Sequence, residues 1–429
     1  MTMRRLFALC AALTAPTTLA AQQVEVTLEE AIRRALHVQP AIVSARGEQR
    51  TAGASLLANT GAFLPTVSAG GSSTRAGGSR FNSSTNQIVD LAANTTFSGS
   101  LSASLELFDG FRRVAERRAA SASLDAAEAG VVNQRFQVTL QTKQVFYDAL
   151  ARDDLLRVAE AQERRALQQL QIAVEKLRAG SATRSDSLRS VVDHGNARIA
   201  VLQARAALAT AQANLGRQIG VDGLVRAAAD SALPAFPDTT GLSLAVVESA
   251  PAVREAEAQA HAARATAAAA RSPYWPSLVV STSSGYTGLE APWASTETYA
   301  NNWSWRFALN WTLFNGFQRE RSLTSAAVQR DVAEATAADA RRRANAQLTE
   351  QLAALATAFE QIDIARSNLA AATEDLRVQS ERYRVGASTI LDLLTSQAAL
   401  TQAEVNLVQT RFDYVIALAQ LEALVGRTL

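Results

Sequence analysis

LELFDGFRR at residues 105–113 and WTLFNGFQR at residues 311–319 carry the same local pattern. In each, polar and apolar residues alternate up to Leu-Phe, an Asx-Gly-Phe step follows, and an arginine-bearing, alanine-rich tract begins. Alternation of period two belongs to a strand whose two faces meet different surroundings. The tract behind it has helix composition. Each stretch therefore marks a strand that turns directly into a helix, with Gly110 or Gly316 relaxing the backbone at the junction between Phe108 and Phe111 or between Phe314 and Phe317.

Upstream of the first junction, Phe97, Leu101, Ala103, Leu105 and Leu107 share one parity, and Ser98, Ser100, Ser102, Ser104 and Glu106 share the other. In the second copy Trp303, Trp305, Phe307, Leu309, Trp311 and Leu313 oppose Asn302, Ser304, Arg306, Asn310 and Thr312. An alternation this long fits a strand with lipid on one side and a polar lumen on the other, and the tryptophans suit the aromatic girdles of such barrels. The competing reading, a half-buried sandwich strand, is disfavoured because the pattern occurs twice. Polar Gly, Ser, Thr and Asn stretches, from about Ser72 to Asn94 and from Tyr286 to Asn301, read as exposed loops between paired strands.

Downstream, the interval from Phe111 to Ala179 contains no proline and one glycine, Gly130, and Phe317 to Val385 contains neither. Either tract as a helix reaches roughly 100 Å at about 1.5 Å per residue. Beyond the breaks RAGSATRSDSL, from Arg178, and RVGASTILDLL, from Arg384, helical patterning resumes. Val405, Val408, Phe412, Val415 and Ala419 form one seam, and Leu400, Leu407, Tyr414, Leu418 and Leu421 a second. Two seams on one helix imply neighbours on both sides.

Phe108 and Phe314 stand 206 positions apart, and the same offset joins Gly180 to Gly386, Asp186 to Asp392 and Gly220 to Gly426. Upstream the offset becomes 211, pairing Pro40 with Pro251 and Pro65 with Pro276. The chain is thus one unit written twice: residues 22–220, a linker at 221–241, and residues 242–429. Each unit reads helix, strand, strand, long helix, helix, with first helices expected from about Leu28 to Ala62 and from about Leu244 to Arg271. The prolines after Leu64 and Trp275 end them.

Residues 1–21 read as a secretory signal peptide: Arg4 and Arg5, a short apolar core, then small residues at Ala20 and Ala21. Cleavage there removes Cys10, the single cysteine, so neither a disulfide framework nor a thiolate metal site is expected. It also leaves 40 basic residues against 40 acidic ones, a balance that disfavours nucleic acid as a partner. No apolar run reaches the length of a transmembrane helix, so entry into a membrane requires a closed barrel. His37, His194 and His261 are scattered, and no phosphate-cradling loop, zinc motif or nucleophile elbow appears. No cofactor, metal or catalysis is expected. Arg112, Arg113, Arg117 and Arg118, echoed by Arg319 and Arg321, read as a solvated or lumen-facing helix start, with lipid headgroups as a lesser alternative.

These features together resemble the TolC family of outer membrane efflux channels, over nearly the whole mature chain. The resemblance implies a mainly α protein with a transmembrane β-barrel and a long periplasmic α-helical coiled-coil barrel. It implies a homotrimer, four strands per protomer in a shared twelve-stranded barrel, located in the outer membrane and extending into the periplasm. The implied role is the exit duct of a tripartite efflux or type I secretion system, working with a periplasmic adaptor and an inner-membrane pump. The helix breaks at Gly180 and Gly386 correspond to the periplasmic tip. By position Tyr383 matches the family's gate tyrosine, Asp186 its partner beside Ser185, and Asp392 the first carboxylate of a constriction ring. Ser388 stands where a gate arginine is expected and Thr395 where a second aspartate is expected, and Arg382 or Arg384 are candidates to compensate.

From the residues alone, Asp186 and Asp392 are equally placed to cap the returning helices, while three copies of Asp392 about one axis would attract cations. The rival for the whole chain is a trimeric coiled-coil adhesin or periplasmic scaffold without transport. The strict duplication argues against it, because a stalk needs an anchor at one end only.

Overall fold

The computed structural model describes residues 24–84, 86–228, 234–237, 247–291 and 299–429. The signal peptide, the start expected for the helix at Leu244 and part of the linker lie outside these residues. In chain order the elements are β1 (Val24–Val26), α1 (Leu28–Val38), α2 (Pro40–Gly61), β2 (Thr66–Asn82), β3 (Gln87–Phe108), α3 (Arg112–Arg178), α4 (Arg184–Ile219) and β4 (Val225–Ala227). After them come α5 (Pro251–Ala269), a 3-10 turn at Ser272–Tyr274, β5 (Ser277–Gly288), β6 (Ala300–Asn310), α6 (Gln318–Arg384) and α7 (Ile390–Val425). The helices α3 and α6 each hold 67 residues, and α4 and α7 each hold 36.

The first helix of each repeat differs from expectation for one reason. Residues 28–62 are two helices, because Pro40 denies Gln39 the helical region and leaves it extended at φ −61°, ψ 127°. Pro251 acts likewise on Ala250, so that α5 begins there and stops at Ala269.

One compact unit comprises Leu36–Leu140, Phe236–Thr357 and Ala417–Leu429. It holds a four-stranded antiparallel sheet in the order β2-β3-β5-β6. The two hairpins share a register: under the sequence offsets, Val67↔Ala103 becomes Leu278↔Leu309 and Arg75↔Thr95 becomes Tyr286↔Asn301. Most of Ser72–Asn94, expected as a loop, is strand instead, since β2 and β3 pair as far as Asn82↔Gln87 across one bulge at Ala76/Gly78. A ladder satisfies backbone groups whatever the side chains, and here serines and threonines also pair across it, Thr66 with Ser104 and Ser68 with Ser102 at 2.7 Å and Ser72 with Ser98 at 2.8 Å. In the second hairpin strand likewise runs to Gly288 and resumes at Ala300. The outer sides of β2 and β6 have no strand partner among the described residues. That openness shortens β6: β3 is held between two strands and runs to Phe108, whereas β6 ends at Asn310, leaving Trp311 and Leu313 beyond it.

The other unit comprises the described residues through Ala35, Gln141–Ala235 and Ala358–Ile416. Its core gathers Val26 and Ala31, Phe146, Ala149 and Leu150 of α3, Ala211, Leu215 and Ile219 of α4, and Val225 and Ala227. β1 pairs in parallel with β4, Glu25 opposite Arg226, a contact that three-residue strands do not announce in a sequence. Farther along α3, Arg165 binds Glu404 of α7 through both carboxylate oxygens at 2.8 and 3.0 Å. Both expected seams of α7 are buried or half-buried, with Tyr414 and Leu421 wholly so.

Candidate functional site

The two helix breaks lie in the second of these units and are built by the same local chemistry. Each long helix stops at a glycine in the left-handed region, Gly180 at φ 70° and Gly386 at φ 82°. The next amide reaches back over the turn, Ser181 N to Lys176 O at 2.8 Å and Ala387 N to Arg382 O at 2.7 Å, which satisfies carbonyls the helix end would otherwise leave bare. Three residues past each glycine a threonine starts the returning helix. Thr183 Oγ1 accepts from Asp186 N at 3.2 Å while the Asp186 carboxylate accepts from Thr183 N at 3.0 Å and Thr183 Oγ1 at 2.7 Å. Thr389 and Asp392 repeat this exchange at 3.2, 3.0 and 2.8 Å. Both aspartates thus act as the reciprocal partners of capping boxes. The threonines at the N-cap are the residues that sequence reasoning passed over, although Thr-x-x-Asp is legible at both places.

Hydrogen bonds from the Thr183 side chain and backbone hold the Asp186 carboxyl below its ordinary range, and those from the Thr389 backbone and side chain do the same for Asp392. A native value below the unfolded one stabilises the fold above the unfolded value and loses that stabilisation as pH falls through the native one. Acidification below about pH 4 is therefore expected to lower the protection of the Asp186 and Asp392 amides, relative to the intrinsic exchange rate at each pH, ahead of the rest of the chain. Thr183→Ala or Thr389→Ala should do so at neutral pH, at about 1 kcal/mol each. Unchanged protection of these amides on acidification would contradict the capping role.

Tyr383 packs with Ile390 and Leu393, flanked by Leu376 and Leu394, in an apolar plug between the end of α6 and the start of α7. Burial pushes its phenol up, the Asp186 carboxylate adds to that rise, and Gln169 opposes it. Neither the Tyr383 hydroxyl nor Gln169 Nε2 completes a well-formed hydrogen bond, so Gln169 is near without being a true partner. Asp186 and Tyr383 are thus brought close, and the Asp186 carboxylate bonds to Thr183. Ser185 is exposed, Ser388 Oγ points to Gln379 O at 3.5 Å, Arg382 donates to Ala387 O at 3.3 Å, and Arg384 pairs with Glu381 on the helix surface.

The strand-to-helix junctions, in the sheet-bearing unit, show what Asx-Gly-Phe does. Gly110 and Phe111 both take positive φ, 66° and 63°, as do Gly316 and Phe317 at 66° and 64°. This double left-handed step swings the chain out of the sheet. Phe108 and Phe111 then meet edge to face at 5.4 Å, as do Phe314 and Phe317. The Asx side chain receives the new helix: Asp109 Oδ2 accepts from Arg113 N at 3.0 Å and Arg113 Nε at 2.8 Å, and Asn315 Oδ1 from Arg319 N at 3.4 Å. Each arginine also lies over an aromatic ring, Arg113 on Phe63 at 5.1 Å and Arg319 on Tyr274 at 4.8 Å.

A profile of the outer membrane efflux protein family matches residues 31–221 and again 243–427. The chain belongs to that family. Among curated relatives of this outer membrane efflux protein, the toluene efflux pump outer membrane protein TtgC of Pseudomonas putida is 26% identical over 188 residues, 43% of this chain and 38% of TtgC. Protein CyaE of Bordetella pertussis is 30% identical over 186 residues, 41% of this chain and 37% of CyaE. These matches span well under half the length of either relative. The Campylobacter jejuni CmeC outer membrane channel shares the fold, with a TM-score of 0.82 at 17% identity over 93% of this chain and 85% of that one. Family membership places the chain in the outer membrane, extending into the periplasm.

Proposed function

We propose that this chain is the outer-membrane exit duct of a tripartite efflux or type I secretion assembly, a passive conduit without catalysis. Two repeats, residues 22–220 and 242–429, contribute four strands, and three copies close a twelve-stranded barrel. A periplasmic adaptor and an inner-membrane pump dock at the helical tip and supply the energy.

The observation that carries this reading is the open four-stranded sheet. Its outward parity is Trp303, Trp305, Phe307 and Leu309, all more than 60% exposed in one protomer, and both of its edges lack strand partners among the described residues. Bare edges are not tolerated in lipid, and four strands cannot close on themselves. The helices agree. On α4, Leu188, Ile199 and Leu202 are exposed, whereas their counterparts Leu394, Val405 and Val408 on α7 are buried or half-buried, so α4 keeps a seam free for a second copy. Detergent-purified protein is expected to migrate as a heat-modifiable trimer and to pass single-channel current in planar bilayers; a monomer freely soluble without detergent would end the proposal.

At the tip, Tyr383 and Asp186, with Ser185 and Ser388 beside the turns, are proposed to hold the resting duct shut. Asp392, exposed at the start of α7, is proposed to ring the axis as a cation-favouring constriction. Asp392→Asn is expected to reduce cation preference in reversal-potential measurements. An unchanged reversal potential would leave Asp392 with its capping role alone.

A further inference from the structure

Lys143 and Lys176 are the only lysines in a sequence that otherwise uses arginine for its cations. Lys176 lies in the last turn of α3, four residues before Gly180, and its side chain is half-buried. Its Nζ donates to the carbonyl of Tyr383, at the end of α6, and sits 3.9 Å from the centroid of the Tyr383 ring. One ammonium thus meets three complementary partners at once. It satisfies a terminal helix carbonyl, it faces the negative end of the α6 dipole, and it covers the electron-rich face of the ring. The same carbonyl also accepts from Gly386 N at 3.2 Å, so the lysine is tied to the turn that reverses the chain.

We propose that Lys176 is a latch: a positioning residue that fastens α3 to the Tyr383 turn of α6 and sets how readily the tip opens. The proposal rests on the reading of the chain as a gated duct. Three observations favour the lysine over the tyrosine hydroxyl as the fastening group. The hydroxyl is buried without a partner, so the ring is retained by packing and by the ammonium. Asp186, the other candidate, is occupied by Thr183. Ser388 brings no cation to the turn, Arg382 donates to Ala387 O and lies near Asp392, and Arg384 is spent on Glu381.

The latch occurs once per chain. Under the repeat offset Lys176 corresponds to Arg382, and Tyr383 to Leu177. Leu177 offers no ring, and the other members of the plug, Ile390 and Leu393, are replaced in the first repeat by Arg184 and Ser187. The first tip therefore has neither the apolar plug nor an aromatic face for a cation. The fastening runs from the first repeat to the second and is not returned. Detaching α6 from α3 exchanges this half-buried contact for water, whereas the surface pairs Arg178–Glu175 and Arg384–Glu381 are solvated either way and contribute little.

The test compares purified wild-type protein with Lys176→Met, Lys176→Arg and Tyr383→Ala. In single-channel recordings Lys176→Met is expected to raise open probability about tenfold, with the heat stability of the assembly unchanged, and Lys176→Arg to restore part of the closed state. Open probability at the wild-type level in Lys176→Met overturns the latch. If that variant fails to assemble, acetylation of assembled Lys143→Arg protein with an amine-reactive ester, continued until mass spectrometry shows Lys176 modified, neutralises the same group, and a rise in open probability is again the supporting result and no rise the opposing one. A second readout stands apart from conduction: Lys176 acetylation, quantified by mass spectrometry, should be slow in the wild type and several-fold faster in Tyr383→Ala. Should the wild-type protein pass no current, the duct reading fails and this comparison alone decides, with equal rates in the two proteins overturning the contact.

Discussion

Alanine at Gly110 is expected to abolish assembly. The residue holds φ 66°, and an added Cβ would lie 2.6 Å from Trp275 Cβ and 2.7 Å from the Ser272 carbonyl oxygen. The collision, more than the dihedral, decides the outcome. Phe111 next door already sits at φ 63°, so the junction tolerates a side chain in that region at about 1 kcal/mol. Neither Trp275 Cβ nor a backbone carbonyl can step aside by rotating, and overpacking adds about 1–3 kcal/mol. Gly110→Ala should lose the heat-modifiable species, and retention of that species at the wild-type transition temperature would refute the argument. Gly316 is the informative control. It has the same φ of 66°, yet nothing among the described residues lies within 4 Å of the added atom. In an isolated protomer Gly316→Ala should cost only the dihedral strain, about 1 kcal/mol. Under the repeat offsets, the place that Ser272 and Trp275 take at Gly110 falls at Gly316 to Gly61 and Leu64 of a second copy. Gly316→Ala is therefore expected to spare folding of the protomer and impair the trimer.

A cysteine pair should display that second contact directly. Within the chain β3 pairs with β5, Ser102 opposite Ser283. Carried through the same offsets, this becomes Ala308 of β6 opposite Ser72 of β2 in a neighbouring copy, both on the polar parity. Ser72→Cys with Ala308→Cys is expected to convert most of the protein to covalent dimers and trimers on mild oxidation, visible on a denaturing gel without reductant. Moving one cysteine by a residue, to Ser73, turns it to the opposite face and should abolish the product. Equal cross-linking of both pairs, or none with either, would show that the open edges of β2 and β6 do not meet in this register. The single native thiol, Cys10, falls in the expected signal peptide, and Cys10→Ser in the same background excludes it as a competitor.

Much of this architecture was legible because it is locally encoded. The alternation through Phe97–Leu107 and the uninterrupted tract after Phe111 each declare their own period, and the offset of 206 shows that both halves do the same. The helix boundaries depart from expectation at Pro40 and Pro251, which hold Gln39 and Ala250 extended just as Pro65 and Pro276 end the helices before them. The Ser72–Asn94 ribbon differs from expectation for another reason. Its strands are held by ladder bonds that do not depend on the side chains, so the composition of a loop and the backbone of a sheet coincide there.

The tip divides along the same line. Gly180, Gly386, Asp186 and Asp392 stood out in the sequence because a turn and its caps involve residues within about five positions of one another, and their spacing is part of the chain itself. The plug around Tyr383, the reach of Lys176 onto it, the pairing of β1 with β4, and the different surroundings of Gly110 and Gly316 were decided only by tertiary packing. Each joins residues far apart in the chain, and whether such groups touch depends on how long helices and strands are placed side by side, which no local period specifies.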